Sequence, residues 1–175
     1  MLNALQTLYD EGALSTDELN ELIGKCIDNV DLDDHRGLVL LAYLRSQGQN
    51  EDPEDIDKVG VDNLFSVGSH EYFVYDEDEA DTACGEYIQQ TLWLFNSDFL
   101  TSMTDLPVEV FQALSGQCED ANDAIFKVVQ ATCGIDKFVN EAVSADGRGH
   151  FLASYDGEEN EYQGGGRYFY IYRVN

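Results

Sequence analysis

Gly68-Ser69-His70-Glu71-Tyr72-Phe73-Val74-Tyr75 runs directly into Asp76-Glu77-Asp78-Glu79-Ala80-Asp81 and then into Thr82 to Leu100. The first block ends in strand formers, and the second is a carboxylate-rich helix start. The third carries apolar residues at three- and four-residue spacing through Ala83 or Cys84, Tyr87 or Ile88, Thr91 and Phe95. A strand handing over to a long amphipathic helix predicts an α+β fold. Upstream, Asn63-Leu64-Phe65-Ser66-Val67 is a second strand-forming run, with Gly68-Ser69-His70 as the hairpin turn between the two.

The tail completes the sheet on this reading. His150 to Ser154 reads as a strand, Asp156-Gly157 as a turn and Glu158 to Tyr162 as a further strand. Gly164-Gly165-Gly166 turns the chain into Arg167 to Val174, whose Tyr168, Tyr170 and Tyr172 share one face while Phe169, Ile171 and Val174 supply the other. The expected sheet is therefore mainly antiparallel, a hairpin near 63–75 plus C-terminal strands over 149–174, with helices covering one side. Shorter helices are expected behind Pro107 (Val108 to Leu114), over Asp120 to Thr132 up to Gly134, and from Ile135 to Val143.

Ahead of this lies a segment with its own apolar periodicity. Leu2, Leu5 and Leu8 mark one helix, and Ser15-Thr16-Asp17-Glu18 caps a second through Leu19, Leu22 and Ile23. A third is expected from Asp33-Asp34 to Arg45, ending at Gln47-Gly48. The predicted division is a three-helix unit over 1–47, an acidic linker or loop over 48–60 broken by Pro53, and an α+β domain over 61–175.

Charge is what sets the chain apart. It has 175 residues, with 35 Asp and Glu against nine Lys and Arg and a net charge of -26. Hydrophobic residues make up 43% and include ten Tyr and nine Phe, which is enough to build a core, so the charge does not signal disorder. From Val59 to Phe126 there are 14 acidic residues and no Lys or Arg. Such a chain repels nucleic acid and anionic membranes and is steered toward basic surfaces. Duplex DNA carries one charge per ~1.7 Å, so 26 charges match about 13 base pairs. That length, about 44 Å, compares with about 40 Å for a globule of this size. A solvated halophilic surface is the bland alternative, and the aromatic and cysteine content argues against it.

Other chemistry fits the spacing less well. Asp76 to Asp81 fails the calcium-loop template, because Ala80 takes its fifth position and Asp81 its glycine position. Asp156-Gly157-Glu158-Glu159-Asn160 also lacks the glycine and the distal Glu. Asp146-Gly147-Arg148-Gly149-His150 matches neither a phosphate loop nor a dinucleotide fingerprint, and reads as a turn whose Arg or His pairs with carboxylates. An enzyme would need His150 or His70 joined to a carboxylate pair. Cys26, Cys84, Cys118 and Cys133 form no C-x-x-C pair and read as reduced thiols. The longest apolar run, Leu38 to Leu44, is far too short to span a bilayer. The C-terminal tyrosines are better explained by cross-strand packing than by base stacking. No cofactor, no metal and no enzymatic activity are expected, nor direct nucleic-acid or membrane binding.

Two stretches together carry a resemblance. Val67 to Asp81 continues to Tyr87-Ile88 and Leu92-Trp93-Leu94-Phe95-Asn96, and Ser144 to Glu159 is followed by Tyr168-Phe169-Tyr170-Ile171-Tyr172-Arg173. This pattern, over about the last 110 residues, resembles small acidic proteins carried by bacteriophages and prophages. Acidity and size are also similar to antirestriction proteins that imitate DNA, the ArdA and Ocr classes. The first resemblance, to a group of no characterised function, implies a phage protein. With the cation-free run from Val59 to Phe126 as the motivating observation, the expected role is an inhibitor of a CRISPR effector or restriction enzyme in the host cytoplasm. It would occupy a basic nucleic-acid-binding groove as a DNA mimic. The partner-binding residues expected are Asp76, Glu77, Asp78, Glu79 and Asp81, with Glu86 and Asp98 further along the same helix. The alternative is a non-mimic acidic adaptor that binds a basic host protein. A homodimer would lengthen the charged face, although nothing in the sequence requires one.

Overall fold

A computed structural model describes residues 1–32 and 35–175. Its sheet is built from Ile56–Lys58 (β1), Leu64–Val67 (β2), His70–Tyr75 (β3), Asn160–Gly164 (β4) and Arg167–Arg173 (β5). The strands pair in the order β1-β2-β3-β5-β4, and every pairing is antiparallel. The fold class is therefore the α+β arrangement expected, with the last strand inserted beside the first hairpin.

Turn chemistry sets the two hairpins. Val67 pairs with His70, so the β2–β3 loop is the two residues Gly68 and Ser69, with Gly68 at φ 60° in the first central position. Gly164 pairs with Arg167 across Gly165 and Gly166, both at positive φ, which is the mirror-image turn that matches strand twist. Gly164 is also required by close approach, since a Cβ there would lie 2.7 Å from Ile27 Cγ2.

Among the described residues there are eight α-helices: Leu2–Asp10 (α1), Thr16–Ile27 (α2), Arg36–Ser46 (α3), Glu77–Gln90 (α4), Ser97–Thr104 (α5), Val108–Ser115 (α6), Asn122–Thr132 (α7) and Ile135–Leu152 (α8). The expected start of the third helix, Asp33-Asp34, lies outside the described residues. α2 begins with a reciprocal capping box, Ser15 accepting from the Glu18 N–H and Glu18 accepting from the Ser15 N–H. α3 is buried over almost its whole circumference, as expected of a helix apolar on all sides.

The chain forms two compact units, Met1–Ala80 with Leu152–Asn175, and Asp81–Phe151. This differs from a division into 1–47, 48–60 and 61–175. Leu19, Ile23, Leu38 and Leu41 of the N-terminal helices share one core with Phe65, Val67, Val74, Phe169 and Ile171 of the sheet, so those helices are a layer of the first unit. The segment expected as a linker supplies a 3-10 turn at Pro53–Asp55 and the edge strand β1. The sheet is covered on both faces. Tyr170 and Tyr172, with Phe73 and Tyr75, pack with Ala80 and Ala153 on the side opposite that core.

Two further expectations are corrected in the second unit. The long helix to Leu100 is broken: α4 ends at Gln90, a 3-10 turn spans Leu92–Leu94, and α5 starts after Asn96. Asn122 holds the break from a distant part of the chain. Its Nδ2 donates to the Gln89 carbonyl at 2.9 Å, and its Oδ1 accepts from the Trp93 N–H at 3.3 Å. Asn96 then caps α5 by accepting from the Phe99 N–H at 2.7 Å. The strand expected over 150–154 is instead the end of α8, which kinks at Gly147 (φ 78°, ψ 158°) and resumes helical geometry to Leu152. Phe151 is buried there against Phe95 and Tyr87.

Candidate functional site

The acidic stretch at the start of α4 is knitted into the structure rather than displayed as a block. Asp76 and Glu79 form a capping box: Asp76 Oδ1 accepts from the Glu79 N–H at 2.9 Å, and Glu79 Oε2 accepts from the Asp76 N–H at 3.0 Å. The buried guanidinium of Arg36, at the start of α3, donates to Glu79 and to the Val74 carbonyl, and lies 3.6 Å from Asp76. Arg167 reaches Asp76 at 3.4 Å from β5, and Asn63 Nδ2 donates to Glu79 at 3.3 Å. Both guanidinium groups also lie over the Phe169 ring, at 5.8 Å for Arg36 and 5.4 Å for Arg167.

Asp81 belongs to the second unit, where Arg148 Nη1 donates to it at 2.8 Å. The expected pairing of Arg148 with a carboxylate is thus present, although α8 rather than a free turn presents it. Glu77 and Asp78 are exposed in the first turn of α4, and Glu86 is exposed further along it. Asp98 does not share that helix: it sits, exposed, in the first turn of α5 beyond the break. Of the seven residues expected to bind a partner, Asp76, Glu79 and Asp81 are held by arginines distant in sequence. Glu86 and Asp98 form no ion pair among the described residues.

Two of the remaining cations, Arg45 and Arg173, are also engaged by the fold, whereas Lys25, Lys58, Lys127 and Lys137 are exposed. Arg45 is buried and donates to Asn20 Oδ1 at 2.6 Å and to the Glu51 carbonyl. Arg173 stacks 3.7 Å above the Tyr155 ring and lies 2.7 Å from His70 Nδ1. Lys25 pairs with Glu21 and Lys58 with Asp62, each one helical turn or its equivalent away. Many of the acids sit in first turns: Glu77, Asp78 and Glu79 in α4, Asp98 in α5, Glu109 in α6, Asp123 in α7 and Asp136 in α8. The helix dipole favours a carboxylate at each of those positions.

A second feature of the Asp81–Phe151 unit is a cleft of about 260 Å³ whose lining includes Tyr87, Leu94, Phe95, Asp146, His150 and Phe151. Its walls are braced from behind. Phe95 lies edge-on to Phe138 at 5.1 Å and stacked with Phe99 at 5.6 Å, and Phe138 is fully buried. Sequence reasoning marks Asp146 to His150 as unusual but joins it to no aromatic wall. The kink at Gly147 and the approach of Tyr87 and Phe95 are tertiary facts. The cleft brings His150 to one carboxylate, Asp146, where acid–base chemistry would want a pair. Among the described residues, no group of three or more His, Cys, Asp or Glu side chains is arranged to hold a metal ion.

Hydrogen bonds from the Ser15 backbone and hydroxyl hold Glu18 below the usual carboxylate range. Burial pushes Tyr43, Tyr72 and Tyr162 above the ordinary phenol value. Among the described residues, no helix is long and apolar enough to cross a membrane. No protein-family model matches the chain, and no curated protein or solved structure matches it either.

Proposed function

We propose that the chain is a phage-encoded inhibitor that blocks the basic nucleic-acid-binding groove of a host defence complex, a restriction enzyme or CRISPR effector, by imitating DNA. It would act by binding and not by catalysis. The observation that carries this reading is the fate of the positive charge. Arg36, Arg45, Arg148, Arg167, Arg173, Lys25 and Lys58, seven of nine cations, are engaged by carboxylates, carbonyls or rings of the same chain. Lys127 and Lys137, with Lys25 and Lys58 in surface pairs with Glu21 and Asp62, lie on a surface that carries most of 35 acids. A partner approaching this protein meets a nearly unbroken negative potential, as it would when approaching a duplex. The resemblance to phage-borne proteins supports the source, and the likeness in charge and size to antirestriction proteins supports the target class.

Because Asp76, Glu79 and Asp81 serve the fold, contact falls first to Glu86 and Asp98, exposed carboxylates of the second unit, with the exposed Glu77 and Asp78 of the first unit beside the capping box. Capture of the target from a host lysate should weaken at least tenfold between 50 and 200 mM salt. Excess duplex or guide–target hybrid should displace it. The single change Glu86→Gln, away from any first turn, should weaken capture without changing thermal stability, and adding Asp98→Asn should weaken it further at a cost of no more than about 1 kcal/mol of stability from the lost dipole contact. Binding that ignores salt sinks the electrostatic reading altogether. Binding that follows salt but resists nucleic-acid competition favours the acidic adaptor instead.

A further inference from the structure

We propose that the aromatic cleft of the second unit receives an arginine side chain of the protein's partner. The proposal rests on the reading above only in taking that partner to be basic. Tyr87, Phe95 and Phe151 provide ring surfaces, with Tyr87 and Phe151 centred 6.4 Å apart and Phe95 and Phe151 6.1 Å apart. Leu94 at the mouth is 56% exposed and Tyr87 42%, so the apolar surface is open to solvent. Its volume, about 260 Å³, lies below the ~300–1,000 Å³ typical of drug-sized ligand sites and suits a single long side chain.

The polar groups of the lining select the charge of the occupant. Thr91 Oγ1 is committed to the Tyr87 carbonyl at 2.6 Å, and Asn96 Oδ1 to the Phe99 N–H. The Asp146 carboxylate remains as the anion of the cleft, His150 lies beside it in the lining, and among the described residues no Lys or Arg lines the cleft. A guanidinium is planar and weakly hydrated, stacks on rings and offers paired donors to a carboxylate, which a lysine ammonium does not match. The same chain holds its own arginines in this way. Arg36 and Arg167 lie over Phe169 beside Asp76, and Arg173 lies over Tyr155.

The test is an NMR titration of the full chain with acetyl-Gly-Arg-Gly-amide, compared with the isosteric neutral citrulline peptide and with the lysine peptide. Saturable shifts confined to residues 87–96 and 146–151 are expected, with arginine at least tenfold tighter than citrulline. Asp146→Asn should weaken the arginine peptide about tenfold and leave citrulline unchanged. Leu94→Lys, at an exposed position, should do the same by placing a cation at the mouth, and it guards against a folding artefact in the first variant. Equal affinity for arginine and citrulline, lysine binding as tightly as arginine, or unsaturable shifts over the whole acidic surface would each overturn the proposal. Failure here leaves the salt-dependent capture of the target untouched. Failure of that capture leaves the peptide titration readable by itself.

Discussion

In Met1–Ala80 with Leu152–Asn175, carboxylates meet arginines brought from far along the chain: Arg36 holds Glu79 and Asp76, and Arg167 returns from the last strand to Asp76. In Asp81–Phe151, 11 acids share three cations, Lys127, Lys137 and Arg148; Arg148 alone repeats the remote pairing, with Asp81, and the rest of the order comes from rings and helix ends. The comparison teaches that one net sign of charge is tolerated by two different devices. A sheet unit with buried polar groups needs an internal counter-cation, because an uncompensated charge away from water costs several kcal/mol. A helical unit can leave its acids in water at dipole-favoured first turns and rely on an aromatic core.

The contrast makes the units separable by experiment, since the chain has one tryptophan and Trp93 lies in the second unit. The largest effect is expected at the centre of the ring cluster. Phe138→Ala should cost about 3–5 kcal/mol, read as a lower denaturation midpoint in Trp93 fluorescence. Close behind, Arg36→Met should cost about 2 kcal/mol by removing the buried donor to Glu79 and the Val74 carbonyl, while Asp76 keeps Arg167 and Glu79 keeps Asn63, and it should appear in hydrogen exchange of β3 and β5. If Arg36→Met moved the Trp93 transition as far as the exchange of the strands, the two devices would not be independent. Asn122→Ala comes next, at about 1–3 kcal/mol, because it leaves the Trp93 N–H and the Gln89 carbonyl without their shared partner. A shifted Trp93 emission would accompany it, and an unchanged midpoint would mean that Asn122 does not hold the break.

The smallest expected effect is alkaline. Tyr43, Tyr72 and Tyr162 all lie in the first unit, and burial raises their folded pKa above the ordinary 10.0. The neutral phenol is therefore favoured in the folded state, and that stability is fully present below pH 10. It is lost as pH rises, first because the unfolded chain ionises and then through the folded value. On raising pH past 10, strand exchange protection should fall before Trp93 fluorescence changes, and Tyr72→Phe should delay the fall. A Trp93 transition that came first would reverse the assignment.

Much of the local order was legible in residues near one another. Gly68-Ser69 and the glycine run at 164–166 specify hairpins because left-handed backbone at fixed places is a local property. Ser15 and Glu18 announce a helix start for the same reason. Alternation in Tyr168 to Tyr172 assigns the two faces of the last strand. What failed were inferences that depend on a remote partner. The 48–60 segment is polar by composition, yet Ile56 pairs with Val67 and is drawn in as an edge strand. Thr82 to Leu100 carries helical spacing throughout, yet Asn122 breaks it. His150 to Ser154 has strand-like residues, yet the burial of Phe151 among rings keeps it helical as far as Leu152.

The candidate site divides along the same line. The excess of acid and its cation-free run from Val59 to Phe126 are properties of composition, and the amino-acid sequence determines them alone. Which carboxylates face outward was decided by tertiary structure, because Arg36, Arg148 and Arg167 all lie outside that run and reach it only once the chain has folded. Tertiary structure likewise brought Tyr87, Phe95 and Phe151 into one cleft lining with Asp146, since no periodicity relates residues more than fifty positions apart.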